Sequence, residues 1–237
     1  MLRKRARGGS LGHVTGAFVD FGAMEDRNTP GLYLEMTDSL SPEEYAAKRV
    51  DEVLLHPGAD RATWWINVHR DRTDLPRVLP EFDTLGVYEV DAAFSAPDTP
   101  DGITGHHFRR YPRPGQGRLT GKPTVGLSLV LISPTTPDQA QALRDWGDFV
   151  HISWIAAVGV PGYSMITPYE NVTGGDPRYM HFYEMDTEDA EATFKTMTPL
   201  VEARIGKMGT NEFKEWGWHD ALRIMYVNSF RRVGERV

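Results

Sequence analysis

The chain has 237 residues, 40% of them hydrophobic and 25% charged, which suits a soluble globular protein of one large domain or two of roughly 100 residues. A formal net charge of −7 argues against a general nucleic-acid binder, and the absence of cysteine removes disulfides, thiolate metal sites and cysteine nucleophiles together. No run approaches the roughly 18 apolar residues of a membrane helix. The basic start at Met1 to Arg7 lacks the apolar stretch of a secretory signal, so a cytoplasmic location is the default expectation.

Residues 1–28 read as a basic N-terminal arm followed by an extra strand at Ala17 to Phe21. A strand at Gly31 to Met36 follows, and Ser41, Pro42, Glu43 and Glu44 then supply an N-cap, a first-turn proline and acids suited to the helix dipole. That helix runs to about His56, where Pro57 and Gly58 stop it. Arg61 to His69 is the next strand, with Thr63, Trp65, Asn67 and His69 on one face, and a charged, proline-bearing loop leads to a strand at Thr84 to Asp91. Ala96 to Gly102, with two prolines and a glycine, can hold no helix of useful length, and Gly105 to Tyr111 closes this half as a strand. Residues 112–124 are a turn-rich linker.

The second half, 125–237, repeats the plan. A strand at Val125 to Ile132 feeds a helix capped by Thr135 or Thr136, whose buried stripe is expected to be Leu143, Trp146, Phe149, Val150 and Trp154. Strands at Tyr163 to Tyr169 and Tyr179 to Asp186, a helix from Thr187 to about Ile205, and a strand at Ala221 to Phe230 complete it, with Trp216, Trp218 and His219 in a polar loop. Gly31, Leu32, Pro42, Arg49, His56, Tyr88, Glu89 and Asp91 reappear, each 95 positions later, as Gly126, Leu127, Pro137, Arg144, His151, Tyr183, Glu184 and Asp186. A period of 95 is a whole module rather than a solenoid repeat, so duplication is the natural explanation. The fold class expected is α+β: two ferredoxin-like βαββαβ modules, 29–111 and 125–237, the first without its second helix. At one telling place the copies differ, because His181 falls opposite Gly86.

On these two patterns, on the strand Tyr179 to Met185 and on the linker Arg110-Tyr-Pro-Arg-Pro114, the chain resembles the dimeric α+β barrel superfamily, and within it EthD-like proteins, as a fused tandem. The resemblance implies a barrel of two four-stranded sheets with helices outside, and a mostly apolar pocket between sheet and helices. In stress-responsive A/B barrel relatives a strand histidine points into that pocket, which carries over to His181. The helix-borne histidine of the cyclases in the superfamily has no counterpart between Thr187 and Ile205. Superfamily members include cyclases, monooxygenases, isomerases, lyases and haem enzymes.

Period two places Tyr179, His181 and Tyr183 on one strand face, where an imidazole can take a proton and a phenol can donate to a developing oxyanion. Those three are the catalytic candidates; a core histidine satisfied by a tyrosine is the plain alternative. His106, His107, Arg109, Arg110 and Tyr111 form the densest polar cluster, with an arginine as anchor for a substrate anion or, on the other reading, a solvated edge strand. Asn67, Trp65 and His69 could orient or stack on a ring, and His219 could sit in a lid. His56 and His151 read as helix-terminal imidazoles stabilised by the dipole. The phosphate-binding glycine motifs, His-Glu-x-x-His and Gly-x-Ser-x-Gly are all absent, so no metal or nucleotide cofactor is expected. The reading that follows is a cofactor-independent lyase acting by acid–base catalysis on an aromatic or polyketide-like small molecule, in a homo-oligomer. Its alternatives are an isomerase or cyclase, a haem-binding tandem barrel, and a non-catalytic ligand-binding protein.

Overall fold

A computed structural model describes residues 29–237; the expected arm and the strand at Ala17 to Phe21 lie outside the described residues. In chain order the strands are β1 (Gly31–Thr37), β2 (Ala59–Asn67), β3 (Thr84–Val90), β4 (Ile103–Arg110), the short β5 (Gln116–Gly117), β6 (Gly126–Pro134), β7 (Tyr163–Asn171), β8 (Tyr179–Met185) and β9 (Leu222–Arg236). Helix α1 spans 42–54 and α2 spans 137–158, each broken by a π-turn, at Ala46–Val50 and at Gly147–His151. Helices α3 (Ala190–Ile205) and α4 (Asn211–Gly217) follow β8. Two βαββαβ modules are present, and in the first the segment 91–102 crosses from β3 to β4 without a helix.

Each module has the ferredoxin-like strand order, β4-β1-β3-β2 and β9-β6-β8-β7. Because β2 pairs antiparallel with β9 and β4 with β7, the two sheets close into one eight-stranded barrel within a single chain. Closure leaves no long sheet edge unpaired. The duplication is visible in the register: Leu34 faces Val87 across β1 and β3, and Leu129 faces Phe182 across β6 and β8.

Strand alternation assigns the two faces. Leu32, Leu34, Val87, Phe108, Leu127, Leu129, Met180, Phe182 and Phe230 fill the barrel interior. Each such side chain contributes roughly 1.5–3 kcal/mol by leaving water. The odd-numbered residues of β8 turn outward beneath the helices, where Tyr183 packs with Ile152, Ile155, Met197 and Trp216.

Local chemistry explains the helix starts and corrects some expectations. Ser41 and Glu44 form a reciprocal capping box with Pro42 in the first turn, and Pro137 follows the N-cap Thr136. Helix α3 begins at Ala190 rather than Thr187, because the Asp189 carboxylate accepts from the Ala192 N–H and fixes the cap there. Helix α4 stands in what reads as a polar loop; Thr210 caps it. The expected stripe of α2 holds for Leu143 and Trp146 and for the half-buried Val150 beside them, but fails at Phe149 and Trp154. Phe149 is 64% exposed and Trp154 37%, while Ile152 and Ile155 are buried. The π-turn adds a residue to one turn and rotates everything after Gly147 against a 3.6-residue period. Trp218, expected to pack, is 53% exposed beyond the end of α4.

Candidate active site

His181 lies between Val130 of β6 and Pro168 of β7 in the sheet, and its ring is buried against α2. The helix comes close because residue 147 is glycine: a Cβ there would lie 3.0 Å from His181 Cε1. One residue on, the buried Asp148 carboxylate has Oδ1 3.3 Å from His181 Nε2, Oδ2 3.1 Å from Arg144 Nε and Oδ2 2.9 Å from Arg113 Nη1. The Arg113 contact is an aligned hydrogen bond; the other two are at ion-pair distance without that alignment.

The charge balance follows. Burial would raise the Asp148 carboxyl, but the His181 ring and the Arg144 and Arg113 guanidiniums hold it below the usual carboxylate range. Burial pushes the His181 imidazole below its ordinary value, against the pull of Asp148, so the ring is neutral at pH 7. Arg144 is itself buried, its guanidinium between the Tyr111 ring at 3.6 Å and the Tyr179 ring at 4.7 Å, with Nη1 donating to the Tyr169 carbonyl at 3.3 Å.

Beside His181 is a cavity of about 290 Å³, walled by Val130, Ile132, Ile224 and Val227 of the sheet, Trp146 and His151 of α2, Phe194 and Met197 of α3, and Phe213 and Trp216 of α4. Tyr183 lines it as well, and burial raises its phenol so that it stays protonated. His151 is not the helix-terminal imidazolium expected of it. It sits inside α2, its Nδ1 donates to the Trp216 carbonyl at 3.0 Å, and burial pushes it down to about 4.

The first module shows the same position closed. Arg49, counterpart of Arg144, is buried on Glu35, which also accepts from Tyr33 at 3.0 Å and Tyr45 at 2.8 Å. Tyr45 Oη fills the space over Gly86, where a Cβ would meet it at 2.1 Å. Ala140 stands where the first copy has Tyr45, so in the second copy that space is left to His181. The proline-bearing segment 91–102 covers this module in place of a helix, with the Asp98 carbonyl on Arg49 and Phe94 against Tyr33.

Of the residues singled out by sequence, His181 and Tyr183 line the cavity; the structure places the others elsewhere. Tyr179 donates to the Ala140 carbonyl at 3.2 Å and, with Tyr111, flanks Arg144. The expected anion anchors lie away from His181: Arg109 is 63% exposed beside Glu170, and Arg110 ends β4 opposite Tyr169 of β7. His106 turns into the barrel beside Phe108, and His107 packs edge-on against Phe94. Strand alternation puts His106 on the opposite sheet face from His181, and His107, on the outer face, packs over the first module instead. Trp65 is inside the barrel, donating to Thr63 at 2.9 Å, and Asn67 is taken up by Glu81 and the Phe82 carbonyl. His69 falls beyond the end of β2, 2.8 Å from Glu191. His219 accepts from the Ala221 N–H outside the cavity wall. Trp65 belongs to a second cavity of about 580 Å³ at one barrel end, which holds no imidazole; its carboxylates Glu89 and Glu184 accept from Thr29 and Thr124.

Asp148, Arg144 and Arg113 escaped the candidate set. The offset of 95 had marked Arg49 and Arg144 as a repeated pair, and Asp148 stands four residues on from Arg144, the spacing of helix neighbours. Among the described residues no group of three or more His, Cys, Asp or Glu is placed to hold a metal ion, and no helix is long and apolar enough to cross a membrane.

The described residues close into an α+β barrel. No family model matches it, and neither does any curated protein. Among solved structures it is similar to a putative monooxygenase from Fusobacterium nucleatum at 7% identity and TM-score 0.49, over 86% of this chain and 93% of that one. An anthrone oxidase-like protein matches at 13% and 0.49, over 87% and 92%. A regulator of staphylococcal pathogenesis matches at 11% and 0.46, over 85% and 97%. The expectation of a cofactor-independent lyase is corrected here: the similar structures are described as a putative monooxygenase, an anthrone oxidase-like protein and a regulator, and none as a lyase.

Proposed function

We propose that the helix-side cavity of the second module is an active site for oxidation of an apolar, ring-bearing small molecule by dioxygen, entered by loss of a proton to His181 and completed by transfer of electrons from the resulting anion to the oxygen. The observation that carries the binding and the proton transfer is the neutral His181 imidazole, 3.3 Å from the Asp148 carboxylate, in the wall of a mostly apolar cavity. With Nε2 facing Asp148, that nitrogen keeps the ring proton and Nδ1 accepts from the bound molecule; Asp148 then steadies the imidazolium that forms. Tyr183 keeps its phenolic proton as a donor. Trp146, Phe194, Phe213 and Trp216 favour a ring and exclude water, which strengthens each polar contact inside. The oxidative class comes from the descriptions of similar structures, and an assay decides it. A fused tandem of the dimeric α+β barrel superfamily is the affiliation we favour; the EthD-like placement within it rests on the strand residues around His181.

The test is oxygen uptake with hydroxylated two- and three-ring aromatics, alongside calorimetric binding, for the wild type and His181→Gln. The reading expects ring binding in both proteins and uptake in the wild type alone. Binding with uptake equal in both removes His181 from the chemistry, and no ring binding in the wild type removes the cavity from it.

A further inference from the structure

Part of the cavity belongs to the other module. Asp74 and Leu75, which line it beside Ile224 and Val227, come from the loop 68–83 between β2 and β3 of the first module. That loop lies along β9 of the second module: the Val68 N–H donates to the Ser229 carbonyl at 3.0 Å, and the Val78 and Leu79 N–H groups both donate to the Met225 carbonyl at 3.0 Å. Between those ties Arg72 is buried, though it sits in a loop. Its guanidinium bonds Glu191 at the start of α3, donates to Asp74 at 3.1 Å and lies 4.5 Å over the ring of Phe194, itself a wall of the cavity. His69 adds a second contact to Glu191 at 2.8 Å, and the Ser229 hydroxyl a third at 2.9 Å. A buried arginine held by this many partners fixes a loop far more firmly than surface charges do. The loop tip is therefore positioned by the same helix that carries Phe194 and Met197 of the cavity wall.

From this arrangement we infer that Leu75 and Asp74 are specificity-determining residues of the second module's cavity, limiting the length of the molecule it accepts, and that Arg72 is the residue that positions them. The inference rests on the cavity being the binding site proposed above. It gives the first module, whose own pocket is filled by Tyr45, a part in the function of the second.

The test is calorimetric binding of 4-alkylphenols, from ethyl to octyl. Each buried methylene tightens binding about fourfold, and the gain stops where the chain meets a wall. The wild type is expected to show such a break. Leu75→Ala moves it to longer chains, so that the first phenol past the wild-type break gains about tenfold in affinity, and Leu75→Phe moves it to shorter ones. Arg72→Met abolishes the break and speeds release in stopped flow. Should Arg72→Met fail to fold, the half-buried Leu75 decides, since its two variants must shift the break in opposite directions. A wild-type break that neither variant moves, or a gain that continues through octyl, overturns the inference and leaves the cavity as a binding site. Absence of binding by every alkylphenol overturns the active-site reading itself.

Discussion

The Cα of Gly147 stands directly against the imidazole of His181, close enough that a Cβ would lie 3.0 Å from Cε1 and 3.4 Å from Nε2. This glycine lies in the π-turn of α2, with a helical backbone rather than a left-handed one, so its role is close approach and not conformational freedom. Alanine at an interior helix position is normally worth about 0.5–1 kcal/mol over glycine. In Gly147→Ala that gain is offset by displacement of the ring away from Asp148. The melting temperature is expected to stay within a few degrees while turnover falls about 10- to 100-fold, the scale of a misplaced catalytic group. Turnover that matches the wild type would detach His181 from the reaction.

Asp148 answers two buried or half-buried guanidiniums and one imidazole. Asp148→Asn leaves Arg144 charged and buried without its carboxylate, so unfolding in urea should show a loss of about 3–5 kcal/mol. Arg109→Ala, at an exposed position, should change stability by no more than about 0.5 kcal/mol and leave ring binding unaltered.

Stability should fall in mild acid. The folded His151 imidazole is held at about 4 by burial, against an ordinary value of 6.5. Between those values the unfolded chain binds more protons, so stability is full above the unfolded value and declines as pH drops from about 6.5 towards about 4, by up to roughly 3 kcal/mol. His181, also pushed down by burial, adds in the same direction. Urea unfolding at pH 7.5, 6.0 and 5.0 measures the slope, and His151→Gln is expected to flatten it. A slope unchanged in that variant would show that His151 is not its source.

Gly86 and Tyr45 are a matched pair in the first module. Gly86→Ala forces a Cβ onto Tyr45 Oη, and overpacking of this kind costs about 1–3 kcal/mol. In a Tyr45→Ala background the space is open, and the same substitution is expected to become neutral or stabilising. A double-mutant cycle by thermal unfolding gives the coupling directly, and additive effects would contradict the fit.

The second module's counterpart of that pair was half visible in the sequence. The offset of 95 exposed Gly86 against His181, and strand alternation put His181 and Tyr183 on the same strand face. It did not show that Ala140 replaces Tyr45 in leaving the space, because residues of one helix and one strand meet only after packing. The closed barrel likewise follows from two sheets that pair through β2 with β9 and β4 with β7, contacts between strands far apart in the chain.

Composition, periodicity and the repeat were enough to determine the two modules, the missing helix and the strand that bears His181, since these depend on neighbours within a few residues or on a copied pattern. Tertiary structure alone decided which residues surround that histidine. A π-turn rotated α2 so that Asp148 and His151 face inward and Phe149 outward. Arg113 of the linker and Leu75 of the other module's loop came to the same site from distant parts of the chain. Gly147, which reads in sequence as a mere weak helix former, is where Asp148 and the ring of His181 are brought within reach of one another, because packing there leaves no room for a side chain.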